Sequence, residues 1–449
     1  MPLAGERLRP RDGRRRIDMS DDAPLHNPVN RHGLELRATI DDVLLWSAVA
    51  LSPLQDTALQ KTPLALVAAS PAVFPLLGLL FLHVMRRMLR LNFAFRRWTL
   101  LAAGYVLMTS LAHFVARSHG VTVLEWRSLR GSSILAILLF FTLFGVNYRD
   151  TRGIRIAVYI AMAITLIGIV VGAVLGANAI PLLQATPSNT GRPSGFSTEA
   201  STLSVQTVCI GILMTHFMRG RWQKACVALL TCALLVYSQS KGGLISLLLC
   251  VTILGVIKSR SSLATKVLVA SIVIPVLYLG SLLVASMFGD NIDTNQTSSV
   301  ATRLSMAVFA IITVAHNPLG VGFTGFLPAI RDYLPGAMTV VQSWFPIPLG
   351  FGEVSGYLEP PYQDADCKSF FFNYFVFFGI PFAIVFFQFA FRVLRRLLAA
   401  GCDSLFVGVL FCLFALMTYY STTNSYSVAI LFGVALREVR RIEDTVRLH

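Results

Sequence analysis

The sequence predicts an all-α polytopic integral membrane protein with about twelve transmembrane helices and one large periplasmic loop. Three observations predict it. Only 14% of the 449 residues are charged and 55% are hydrophobic, with a mean hydropathy of +0.66, whereas soluble domains carry roughly 25% charged residues. The apolar residues fall into runs close to the ~20 residues that cross a bilayer. Basic residues follow every second run, as cytoplasmic loops require. A soluble enzyme, a disordered chain and a coiled coil are excluded. The formal net charge of +15 is read as topology, and no nucleic-acid partner is expected.

The elements follow in order. Residues 1–37 hold eight Arg and six acids without an apolar core, so they read as a cytoplasmic tail and not as a signal peptide. Met19 is an alternative start. Apolar segments lie at roughly 38–58, 62–85, 98–116, 132–147, 156–177, 201–218, 224–240, 243–257 and 266–288, giving nine helices over 38–288. Segments at 369–391, 403–420 and 425–436 complete the set, and 437–449 is a second cytoplasmic tail. Arg86–Arg97, Arg149–Arg155, Arg219–Lys224, Lys258–Lys266, Arg392–Arg396 and Arg437–Arg447 bound the basic stretches after segments two, four, six, eight, ten and twelve. They place both termini inside, in a bacterial inner membrane.

The connection 289–368 is the exception, with seven acids against three bases. Its net charge is −4, so the rest of the chain carries +19. Within it, 302–315 is apolar but reaches only about 21 Å as a helix, short of a ~30 Å hydrocarbon core. It reads as an interfacial or half-inserted helix. Aromatic and proline residues (Trp344, Phe345, Pro346, Tyr357, Pro360, Tyr362) favour a loop lying against the membrane. Six of the seven cysteines lie in or beside apolar runs; Cys367 alone sits in the polar loop, with no obvious partner. There is no disulfide framework, no zinc spacing and no nucleotide motif, so neither cofactor nor metal is expected.

Three outer features carry possible chemistry. Gly191-Arg192-Pro193-Ser194-Gly195-Phe196-Ser197-Thr198-Glu199 precedes the sixth segment. Ser197 is placed to cap that helix, with Glu199 in its first turn; this plain reading leaves Arg192 unexplained. Ser238-Gln239-Ser240-Lys241-Gly242-Gly243 interrupts an apolar stretch, and a cation dipping into a membrane is a functional candidate; a snorkelling lysine is the plainer reading. Arg303 opens the short apolar helix, which ends in His316-Asn317-Pro318-Leu319-Gly320-Val321-Gly322. Arg303 also suits an interfacial anchor, and a lone His316 is more often a satisfied polar residue than a base. The glycines permit close approach of a ligand or another helix. Cations beside a bilayer suit a lipid-linked diphosphate, and the acidic, aromatic loop suits a carbohydrate.

In this order and topology, the motif before Glu199, the Ser-Gln-Ser-Lys hairpin, Arg303 with its Pro-Leu-Gly-Val-Gly turn, and Phe378-Gly379-Ile380 after the long loop resemble the bacterial O-antigen ligase and Wzy-type polysaccharide polymerase superfamily. The resemblance covers roughly 185–400. It implies a GT-C-like fold and a metal-free transfer of glycan from an undecaprenyl-diphosphate carrier to a sugar hydroxyl at the periplasmic face. It further implies that Arg192, Lys241 and Arg303 hold the diphosphate and that Lys241 and Arg303 serve catalysis; Glu199 and Asp366 are the catalytic base candidates that the residues themselves offer, with no family position mapping onto either. Asp366, Lys368, His316 and Arg331 are candidates for holding the glycan acceptor. The expected partners are the lipid-linked oligosaccharide, membrane lipids and a chain-length regulator.

Two departures matter. The hairpin arginine of the family is Lys241 here, and the stretch Asp364–Asn373 lacks the histidine that ligases place before the following helix. Polymerisation of exopolysaccharide or O-antigen repeat units is therefore the leading reading. Ligation to lipid A core, a lipid-linked oligosaccharide flippase and a non-enzymatic assembly component are its rivals.

Overall fold

The computed structural model describes residues 40–55, 57–58, 70–85, 104, 105, 108, 111, 151–175, 183, 194–197, 199–259, 294–345, 349–359, 366–421 and 426–447. Every regular element among them is a helix. They are α1 (Ile40–Leu51), α2 (Val73–Met85), α3 (Thr151–Leu175), α4 (Ala200–Phe217), α5 (Arg221–Tyr237), α6 (Lys241–Lys258), α7 (Thr294–His316), α8 (Phe326–Ser343), α9 (Gly352–Ser355, continued by a 3₁₀ turn, Gly356–Leu358), α10 (Phe370–Ala399), α11 (Asp403–Thr418) and α12 (Tyr426–Arg447). Arg152–Val174, Ala200–Phe217 and Phe370–Ala399 are long and apolar enough to cross a membrane; Gly242–Lys258, Val300–His316 and Asp403–Thr418 are shorter apolar helices. The expected spans at 132–147 and 266–288, most of 98–116, and the 1–37 tail lie outside the described residues.

One core joins α1 to α6 with the second half of α10, α11 and α12. Its centre is α4, a helix apolar on nearly every face, and such a helix must be covered all round. The polar side chains it carries inward need partners. Gln206 donates to the Thr165 hydroxyl at 3.1 Å and accepts from Ser197 at 3.0 Å. That interaction replaces the expected helix cap: Ser197 turns to Gln206, and Glu199 occupies the N-cap position without a side-chain capping bond.

A second core is built by α7, α8 and α9 with Cys367 and Val376. The apolar segment expected at 302–315 proves to be part of a 23-residue helix, Thr294–His316. Hydropathy sees only its apolar portion, because the first turns, Thr294-Asn-Gln-Thr-Ser-Ser299, are polar yet compatible with a helix. A Pro-Leu-Gly-Val-Gly turn then leads into α8, which packs back against α7.

The ends of α4, α6, α10 and α12 gather with the start of α11 at one side of the bundle. Lys258 pairs with Asp403, His216 lies 3.9 Å from Glu438, and Glu438 pairs with Arg441 at 3.0 Å. Basic stretches that the sequence assigns to one membrane face thus share one end of the molecule.

Candidate functional site

The opposite end is where the starts of several helices meet. A Cβ on Gly243 would lie 2.8 Å from the Ser204 side chain, and one on Gly242 would lie 3.4 Å from Tyr419. The first turn of α6 therefore sits against the first turns of α4 and the C-terminal end of α11. The Phe370 N–H donates to Tyr420 O at 2.9 Å, and the Ser369 hydroxyl donates to Leu416 O at 2.9 Å. This brings in the start of α10. Ser369 also caps α10, accepting from Phe372 N–H at 3.4 Å.

Lys368 stands just before that cap. Its φ is 53°, a left-handed conformation rare for a residue with a side chain. The Asp366 carboxylate fixes it by accepting the Lys368 N–H at 2.9 Å, and the same oxygen accepts from Asn373 Nδ2 at 2.5 Å. Asn373 Oδ1 in turn accepts from Cys367 N–H, so buried Cys367 belongs to this cap. The Lys368 ammonium meets Glu353 Oε1 at 3.1 Å and lies 5.9 Å from the centre of the Tyr357 ring. Tyr357 donates to Glu353 Oε1 at 3.4 Å, and Thr302 donates to Glu353 Oε2 at 3.2 Å. Residue 303, next along α7, is the exposed Arg303.

Charge in this cluster is held firmly. Burial works against the Lys368 ammonium, but its interactions with the Tyr357 oxygen and the Glu353 carboxylate, with Glu199 adding a smaller share, outweigh it and hold Lys368 above its ordinary range. Burial pushes the Tyr357 phenol up, so it is a hydrogen-bond donor at neutral pH. Lys368 is accordingly a fixed cation and not a base.

Backbone strain marks the same end. Among the described residues, the two with side chains at positive φ are Lys368 and Gln239, at 53° each. Gln239 lies in the Ser-Gln-Ser-Lys turn, two residues before Lys241. Such outliers persist where surrounding structure enforces them, and they cluster at functional sites.

A second junction lies deeper along the α7–α10 seam. At Gly379 (φ 62°, ψ −151°) α10 breaks into two helical segments. The groups freed by the break find partners. Val376 O accepts from Val321 N–H and Phe377 O from Gly322 N–H, both at 2.9 Å. Ile380 N–H donates to Pro318 O at 2.9 Å. The Tyr105 hydroxyl reaches Phe378 O at 3.0 Å and Leu319 O at 2.5 Å. Pro381 lacks the N–H that would have served Phe377 O, which is why Gly322 can take it. The Pro-Leu-Gly-Val-Gly turn thus receives another helix. Phe323, Tyr374, Phe377, Phe378 and Phe382 pack around the joint.

The site residues expected from sequence divide as follows. Glu199, exposed at the start of α4 and bonded by Ser201 at 3.0 Å, acts on Lys368 electrostatically. Asp366, Lys368 and, through Thr302, the Arg303 turn belong to the cluster. The Lys241 backbone begins α6 at this same end; its side chain and all of Arg192 lie outside the described residues. His316 and Arg331 belong elsewhere. His316 is fourteen residues beyond Thr302, about 21 Å along the helix axis. It stacks on Tyr333 with centroids 5.1 Å apart and bonds Ile312 O at 2.9 Å. Arg331 is exposed near the start of α8, two residues before Tyr333. Sequence reasoning passed over Glu353, Tyr357, Thr302 and Tyr105. Glu353 was one of seven loop acids, and its spacing of four from Tyr357 was the one available signal.

Comparison with known proteins fits this architecture. A family model described as O-antigen ligase matches residues 225–345, which span α5 to α8 with the Lys241 and Arg303 motifs. A protein of Klebsiella pneumoniae, described as an uncharacterized 49.5 kDa protein in the cps region, is 28% identical over 406 residues, covering 87% of this chain and 91% of that one. By family match and by near full-length likeness, the chain is similar to the Wzy/O-antigen ligase-type membrane proteins of polysaccharide biosynthesis.

Proposed function

We propose that the protein is a polysaccharide polymerase of the inner membrane. It joins undecaprenyl-diphosphate-linked repeat units at the periplasmic face, with both termini inside. The observation that carries this reading is the convergence of the Glu199, Lys241 and Arg303 motifs with Lys368 at the end of the molecule opposite its basic helix ends. A diphosphate leaving group develops charge as the glycosidic bond forms. Preorganised cations in a poorly hydrated site stabilise that charge most strongly. Arg303 and Lys241, with Arg192, neutralise the diphosphate without a metal. The cluster around Asp366 and Lys368 holds the acceptor in line with the donor.

The test is reconstitution. Purified protein in liposomes, supplied with a lipid-linked repeat unit and EDTA, is expected to yield a ladder of longer lipid-linked glycans. Translocation of the unit without lengthening would make it a transporter and end the proposal. The matched family's description keeps ligation as a second reading; transfer only when lipid A core is added would establish it.

A further inference from the structure

We propose that Glu353 is the general base that takes the proton from the acceptor hydroxyl. This inference rests on the glycan-transfer reading and adds the proton acceptor that reading lacks.

Among the described residues, three carboxylates border the site, and their surroundings differ. Asp366 uses one oxygen to accept both the Lys368 N–H and Asn373 Nδ2; its work is to build the cap of α10. Glu199 is exposed at the start of α4 and accepts from Ser201. Glu353 differs in two respects. Side chains from three segments aim it: Thr302 on one oxygen, Tyr357 and Lys368 on the other. It also remains 39% exposed, so a ligand can reach it. The Thr302 bond places its carboxylate beside the residue that precedes Arg303. A hydroxyl bonded to Glu353 is thus held at the turn of α7 that also carries Arg303, the cation assigned to the leaving diphosphate.

The step balances without another reactant. The acceptor oxygen forms the bond to the anomeric carbon of the lipid-linked donor, and its proton passes to a Glu353 oxygen. The bond from the anomeric carbon to the diphosphate oxygen breaks, and its electron pair leaves with the lipid diphosphate, facing Arg303. Lys368 and Tyr357 keep Glu353 oriented, as positioning residues.

Glu353→Gln retains the shape, its one carbonyl oxygen accepting from Tyr357 while its amide N–H donates to the Thr302 hydroxyl. In the reconstituted assay it is expected to lower turnover at least 100-fold, within the range of base catalysis, with the donor KM little changed. It should also abolish the acidic limb of the pH–rate profile. Lys368→Met separates the base from its positioning: it should reduce the rate yet keep that limb. Glu353→Asp should restore part of the rate and the limb. A Glu353→Gln protein that keeps near wild-type turnover, or that keeps the limb, overturns the inference while wild-type polymerisation leaves the parent reading standing. If wild-type protein makes no polymer, the parent reading fails instead.

Discussion

The α7–α10 seam carries two junctions of opposite chemistry. At one end, Thr302, Glu353, Tyr357, Asp366 and Lys368 meet through charged and hydroxyl side chains, of which Glu353 and Lys368 stay partly open to solvent. About 14 Å further along α10, judged from the nine residues between Phe370 and Gly379, the partners are Gly320 and Gly379, and all the bonds but those of Tyr105 run backbone to backbone. The difference follows from the surroundings. A broken helix within an apolar core must satisfy its freed N–H and C=O groups from neighbouring protein, and backbones reach one another only where side chains are missing. The charged junction can tolerate partial hydration, so it can offer groups to a substrate. One junction fixes geometry, and the other supplies chemistry. Substitutions should separate them.

Gly379→Ala should have the largest effect. Its φ and ψ belong to a region open essentially to glycine alone, and a Cβ there would lie 2.1 Å from Pro318 O and 2.5 Å from Gly320 N. The expected cost is on the order of 3 kcal/mol or more, enough to remove most folded protein from the membrane. Gly320→Ala, with a Cβ 2.4 Å from Phe377 O at φ +80°, should behave alike. Quantifying membrane-extracted, monodisperse protein checks both. Normal yield and normal melting of Gly379→Ala would undo the assignment of this joint as the geometric one.

Arg303→Ala tests the other junction. Its side chain is exposed, so the variant should insert and melt normally while polymer formation is lost. Lys241→Arg should keep activity and Lys241→Glu should lose it. Polymer length measured in cells lacking the wild-type protein gives the answer. Near-normal polymer from Arg303→Ala or Lys241→Glu would remove the diphosphate role.

These contrasts show what the sequence could express. The helices were legible because a membrane demands apolar runs, and α4, α5, α6 and α11 fall within a few residues of their expected limits. The Pro-Leu-Gly-Val-Gly motif was legible as a turn and Phe378-Gly379-Ile380 as a glycine near the start of a helix, but their mutual docking was not, because backbone-to-backbone bonding leaves no trace in residue type. Lys241, Arg303, Glu199, Asp366 and Lys368 stood out as charges on the poorly charged side. His316 and Arg331 stood out for the same reason, yet fold to the far end of the α7–α8 hairpin. Charge singles out candidates, and only packing sorts them. Ser197 shows the same limit: a cap-forming residue was taken by Gln206, nine positions away.

Tyr105→Phe should sharpen the comparison with a smaller effect. It removes the one side-chain hydroxyl among the partners of the Gly379 break described above, leaving Phe378 O without that donor while the ring packing on Phe378 remains. A lost hydrogen bond to a partly buried carbonyl costs about 1–2 kcal/mol, so melting should fall by a few degrees with turnover retained. Equal losses of turnover and melting temperature would couple the two junctions more tightly than their separate chemistry implies.

Lys368 supplies the smallest expected effect, and its direction is set by its raised pKa. A lysine held above its ordinary value of 10.5 is ionised in both folded and unfolded chains below that value. Its contribution to stability is therefore fully present there and fades only as pH rises through the higher folded value. Wild type and Lys368→Met should accordingly show a constant difference in melting temperature from about pH 6 to pH 10. Because the pair with Glu353 is partly exposed, with side-chain exposures of 28% and 39%, that difference should be small, near 1 kcal/mol or less after solvent screening. A difference that vanishes between pH 7 and pH 9 would mean that Lys368 titrates in the working range. It would then be free to exchange protons, and the division of labour that makes Glu353 the base and Lys368 its fixed counter-ion would be lost.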